Sequence, residues 1–93
     1  MESVLLKEVA DILKKPEEDI EKESLETFLD ITLKKLLAEQ LVILKKYGIK
    51  NVDEMEQFYR EKKLEEENTF TDFFELAHIE SEINSIKKAM EKI

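Results

Sequence analysis

The 93-residue chain contains no cysteine, no tryptophan, one glycine, one proline and one histidine. Each shortage excludes something. Without cysteine there are no disulfides, no thiolate nucleophile and no Cys-based zinc site, and one histidine rules out any multi-His metal centre. One Gly and one Pro leave almost no turn chemistry for hairpins, which sets aside all-β and Rossmann-type folds. Long apolar runs are also missing. The longest, Leu41-Val42-Ile43-Leu44, is far short of the ~20 residues a spanning helix needs. Near the start, Glu2, Lys7, Glu8 and Asp11 interrupt the apolar stretch a signal peptide requires, so a cytoplasmic protein with no membrane contact is expected. Positive charge is the scarcer sign. Fifteen Lys and Arg against 23 Asp and Glu give a net charge of -8, which repels phosphate backbones and argues against direct nucleic-acid binding.

What remains is helix-forming material: 41% charged and 42% hydrophobic residues in a length suited to one domain. Richness in Lys, Glu, Ile and Leu leans toward a thermophile.

Four helical stretches are predicted. The first covers residues 1–15, from about Glu2 with Leu5, Leu6, Val9, Ile12 and Leu13 at helical spacing, and ends before Pro16, which pushes its predecessor out of the α region. Pro16 suits the first position of a second helix over residues 16–47, with Glu17, Glu18 and Asp19 at the positive end of its dipole. Gly48, after Lys45, Lys46 and Tyr47, closes it. Asn51 offers an N-cap three residues before Glu54 for a short helix over residues 51–62. Thr69-Phe70-Thr71-Asp72 offers another for a last helix over residues 69–93.

A helix of 32 residues is roughly 48 Å long, more than the ~32 Å diameter of a compact chain of this size. Either it breaks near Ser24 or the molecule is a rod. The apolar spacing favours the rod. Leu29, Leu33, Leu36, Gln40, Ile43 and Tyr47 step by alternating fours and threes, and so do Leu76, Ile79, Ile83, Ile86, Met90 and Ile93. The expected fold is all-α: an elongated hairpin or bundle, one domain over 1–93, with two long helices paired as in a coiled coil and one or two shorter ones beside them. Leu37, Leu41 and Leu44 lie off this seam and call for further cover, which predicts self-association as a homodimer.

Catalytic chemistry finds little support. Glu75-Leu76-Ala77-His78 has the Glu-x-x-His spacing of di-iron bundles, but no second unit accompanies it, and His78 reads as a surface residue paired with Glu75 or Glu82. No Gly-rich elbow flanks a serine, and no phosphate-cradling loop exists. No enzyme activity, cofactor or metal is expected. Charge distribution says more. Residues 52–82 hold 11 acids and three bases, a charge equal to that of the whole chain. Within them Glu65, Glu66, Glu67 and Asp72 crowd beside Phe70, Phe73 and Phe74. One reading is a wet acidic face over a few core aromatics. The other is a docking surface for a basic protein, with acids steering the encounter and aromatics anchoring it.

From about Pro16 to Ile93 the chain resembles a group of small prokaryotic, largely archaeal, helical proteins that look like antitoxins of toxin-antitoxin pairs. The resemblance is carried by the long leading helix, Lys46-Tyr47-Gly48-Ile49, Val52-Asp53-Glu54-Met55-Glu56-Gln57-Phe58, the acidic linker, and Asp72-Phe73-Phe74-Glu75-Leu76, where Leu76 stands in place of the usual Trp. It implies a non-catalytic protein that binds and silences a neighbouring basic toxin, often a nuclease. A homodimeric helical scaffold without such a partner is the alternative, and a carboxylate-rich metal protein is a third.

Overall fold

The computed structural model describes residues 3–93, except for the side chains of Ser3 and Glu66. Glu2, where the first helix was expected to begin, lies outside the described residues. Four α-helices are present: α1 (Ser3–Leu13), α2 (Glu17–Tyr47), α3 (Val52–Arg60) and α4 (Glu66–Glu91), with no strand among the described residues. Ser24 does not interrupt α2, which runs unbroken for 31 residues. The molecule is a rod of 61 × 21 × 18 Å.

One device ends the first three helices. Lys14, Gly48 and Lys62 each adopt a left-handed conformation, with φ of 54°, 64° and 59°. The amide of the next residue then reaches back five positions: Lys15 to the Ala10 carbonyl (3.1 Å), Ile49 to Leu44 (3.0 Å) and Lys63 to Phe58 (2.8 Å). These bonds satisfy carbonyls left over at each helix end. Only Gly48 adopts this conformation without steric cost; the two lysines crowd their Cβ against the backbone. At the other ends, Pro16 stands just outside α2 as its N-cap, with Glu17, Glu18 and Asp19 in the first turn. Asn51 caps α3 by accepting from the Glu54 amide at 2.9 Å. The Glu54 carboxylate accepts a hydrogen bond from the amide of Lys50 rather than that of Asn51.

The start of α4 differs from the sequence expectation. The helix opens at Glu66 with Glu65 as its N-cap, so Thr69 sits inside the first turn. Thr69 donates its hydroxyl back to the Glu65 carbonyl at 2.6 Å, and Asp72 is engaged elsewhere, so neither is free to cap a helix beginning at Phe70. Sequence spacing identified a valid capping pattern, but the tertiary partners of Asp72 outcompete it.

α2 and α4 run antiparallel, with Lys46 beside Asp72 at one end and Ile93 close to Glu18 and Leu25 at the other. The seam read from the spacing is the core. Leu36, Ile43, Leu76, Ile79 and Ile83 are buried, and Leu33, Tyr47 and Ile86 pack partly against them. Charge favours this orientation as well. Residues 17–30 carry seven acids and one base, while residues 31–47 carry four bases and one acid. In α4 the order is reversed, with residues 66–82 holding six acids and neither Lys nor Arg, and residues 83–93 three bases and one acid. Antiparallel pairing sets each acidic half beside a basic one.

α3 closes one end of the seam. Its first amide, at Val52, donates to Glu80 of α4 at 2.8 Å, and its far end carries Tyr59 against Phe73, so it runs antiparallel to α4. Met55, with 0% exposure, plugs the core together with Ile49, and Leu44, Val52 and Phe58 pack around them. Leu44 is therefore partly covered within the chain, unlike Leu37 and Leu41, which stay exposed. α1 makes a separate small cluster. Leu6 and Ala10 bury themselves against Ile20 near the start of α2, far from Leu37.

Candidate protein-docking surfaces

Four of the chain's aromatic rings in the α3–α4 corner are layered by their burial. Tyr59 and Phe73 are half-buried and meet edge to face at 5.6 Å, with Phe73 packed on the main core. Outside them Phe70 and Phe74, one helical turn apart on α4, stack nearly parallel at 5.1 Å and 11°. These two expose 43% and 60% of their surface. Phe74 also meets Phe73 edge to face, and Tyr59 leans toward Phe70, so the exposed pair rests on a fixed base. A Tyr59 to Thr69 hydroxyl contact fixes α3 against the first turn of α4. Thus Phe73 is a core residue, and Phe70 and Phe74 are surface residues. The sequence run presents all three alike, since only the tertiary position of α3 separates them. Tyr59 was not among the expected site residues; its spacing from Met55 along one face of α3 is the signal that places it inward.

The acidic residues divide in the same way. Glu65, Glu67 and Glu75 are exposed in the same stretch of chain, while the side chain of Glu66 lies outside the described residues. Asp72 is an internal fastener. It accepts a hydrogen bond from Lys46 Nζ at 2.7 Å and a short one from the Tyr47 hydroxyl, with 22% of its side chain exposed. The Lys46 and Tyr47 hydrogen bonds hold the Asp72 carboxyl below the usual carboxylate range. Burial, and then the bond to Asp72, push the Tyr47 phenol up; the same carboxylate raises Lys46. Nearby, Glu61 is lowered by hydrogen bonds from Lys63 and Gln57. All of these effects are structural, because each group finds its partner within the chain.

Leu37 and Leu41 are exposed on α2 beyond the reach of α3, and Leu44 is partly covered. A larger apolar surface lies on the side of α2 turned away from α4. There Phe28, Ile31 and Val42 are exposed at 67%, 62% and 69%, and an open groove runs between α1 (Leu5, Val9, Leu13) and α2 (Ile20, Phe28, Ile31). These positions were not singled out from the sequence. Their steps of three, seven and four through Ala38 mark a second apolar stripe on a helix whose first stripe is the seam.

His78 is exposed, with Nε2 2.8 Å from Glu82. Among the described residues no group of three or more His, Asp or Glu side chains converges as a metal site. No helix among them is long and apolar enough to cross a membrane. Neither the curated proteins nor the solved structures contain a match to the chain. A family model does match it from residue 1 to residue 93, and over that whole length the chain belongs to the family described as Uncharacterized protein MJ0235.

Proposed function

We propose that the protein is a non-catalytic docking module that binds a basic protein through the α3–α4 corner, and that this partner is a toxin which the bound module silences. The observation carrying the reading is the stacked Phe70–Phe74 pair, exposed on a rigid aromatic base in the most acidic stretch of the chain. Exposing two stacked phenylalanines costs solvation without any return inside the chain, whereas a partner that covers them recovers that surface as binding energy. The net charge of -8 supplies long-range attraction to a basic partner. The antitoxin resemblance supports the choice of a toxin, and the acidic rod suits occlusion of a basic RNA-binding cleft.

The roles separate in kinetics. Glu65, Glu67 and Glu75 act on encounter, so Glu→Gln at all three slows association and flattens its salt dependence. Phe74→Ala acts after contact and speeds dissociation by about 10-fold, the equivalent of ~1.4 kcal/mol. The first test is co-expression with the product of the adjacent gene followed by pull-down and surface kinetics. Retention of a small basic protein by the wild type and its loss from the Phe70→Ala/Phe74→Ala variant supports the reading. Undiminished affinity in that double variant, with its melting temperature unchanged, refutes it.

A further inference from the structure

Beyond the contact of α1 with Ile20, the far side of α2 is unused by the fold and by the proposed docking corner. It presents Phe28, Ile31, Ala38 and Val42, which at 100° per residue lie about 100° to 180° around the helix from the seam facing α4. Its N-terminal half is a groove, bordered by Leu5, Val9 and Leu13 of α1. Its C-terminal half is a ridge, ending in the protruding Val42. The same helix is charge-segregated, acidic over residues 17–30 and basic over residues 31–47.

We propose that this face binds a second copy of the chain, with the two α2 helices antiparallel about a two-fold axis near residue 35. A surface that carries a groove at one end and a ridge at the other is self-complementary only in that orientation, where each end meets its opposite. Val42 of each copy enters the groove beside Phe28 of the other, and Ile31 lies over the small Ala38. Both pairs are centred near residue 35, so one axis serves both. The charges agree independently: the basic stretch 31–47 of one copy comes alongside the acidic stretch 17–30 of the other, even with Lys46 and Glu23 held by Asp72 and Lys15 of their own chains, whereas a parallel pairing sets acids against acids. Near the axis, Lys34 is already held by Asp30 at 2.9 Å and Glu39 sits one turn from Lys35, so the lysines that approach each other there have local counter-charges.

The chain has no cysteine, which makes the arrangement directly testable. Equilibrium sedimentation of the full chain at tens of micromolar should give twice the 11.0 kDa chain mass. Val42→Glu should weaken the dimer by about 100-fold or more with unchanged helix content by circular dichroism, since it drives an unpaired charge into the groove. When Phe28→Cys and Val42→Cys chains are mixed in a glutathione redox buffer, disulfides should form between unlike chains in preference to like ones. The Phe70→Ala/Phe74→Ala variant should remain dimeric, which separates this surface from the docking corner. A wild-type monomer at that concentration, a Val42→Glu chain that still dimerises, or preferential disulfides between like chains would each overturn the proposal.

Discussion

Met55→Ala isolates the contribution of the smallest helix. Met55 is the fully buried residue of α3, with 0% of its surface exposed, while Val52, Phe58 and Tyr59 are only partly covered. At nine residues α3 has no stability of its own in water and forms because this face is buried. Deleting a buried Met side chain costs about 2–5 kcal/mol, depending on how far the surroundings collapse into the space. Leu76, which shares the core with Met55, is held by the long α2–α4 seam and cannot follow, so a value near 3 kcal/mol is expected. For a domain of this size that is a large part of the whole stability, roughly 5–14 kcal/mol, and lowers the melting temperature by about 12–24 °C. Urea denaturation followed by circular dichroism measures the loss. Native-state hydrogen exchange locates it: amides of α3 should exchange through a local opening while those around Leu36 and Ile83 keep the protection of the global transition. Met55→Leu, which preserves volume, should lose less than about 1.5 kcal/mol. A loss below about 1 kcal/mol for the alanine variant, or equal loss of protection in α3 and in the centre of α2, refutes the view that this side chain is the main apolar anchor of α3.

The helix ends make opposite predictions for opposite substitutions. Gly48→Ala places a Cβ in open space but at φ 64°, so it should cost about 1 kcal/mol from conformation alone, whereas Lys62→Gly relieves the same crowding and should raise the melting temperature; a Gly48→Ala chain as stable as wild type would contradict this. The Asp72 fastener sets a pH window. Its carboxyl is depressed in the folded state, so its contribution is present above the unfolded value near ~3.9 and lost as pH falls through the lower folded value. Tyr47 and Lys46 are raised, so their contribution holds below about 10 and is lost as pH rises through the folded values. Asp72→Asn should therefore melt below wild type at neutral pH and converge with it toward pH ~2; a constant difference across that range would show that charge is not involved.

Much of the fold is legible in the sequence because the two long helices make one repeating contact. Their stepped spacing of Leu and Ile is the contact itself, and Leu36, Ile43, Leu76, Ile79 and Ile83 are all buried where it places them. Gly48 and Asn51 were readable for a similar reason, since each acts within four residues of its own position. Long-range competition was not readable. Asp72 is drawn from its local capping pattern by Lys46 and Tyr47, 26 and 25 residues away. Nothing in the run around Phe70, Phe73 and Phe74 says that α3 covers one ring and leaves two. Lys14 and Lys62 break the residue preference for left-handed caps, so the caps themselves were not readable, although Pro16 marked the end of the first helix and the spacing that of the third.

The rod shape governs how the molecule travels as well as what it can touch. With a radius of gyration of 19.3 Å, the single chain is as extended as a compact protein of about 300 residues. It therefore diffuses and elutes as a much heavier particle. A second copy laid antiparallel across the middle of α2 widens the rod without lengthening it much, so dimerisation changes its frictional drag far less than its mass.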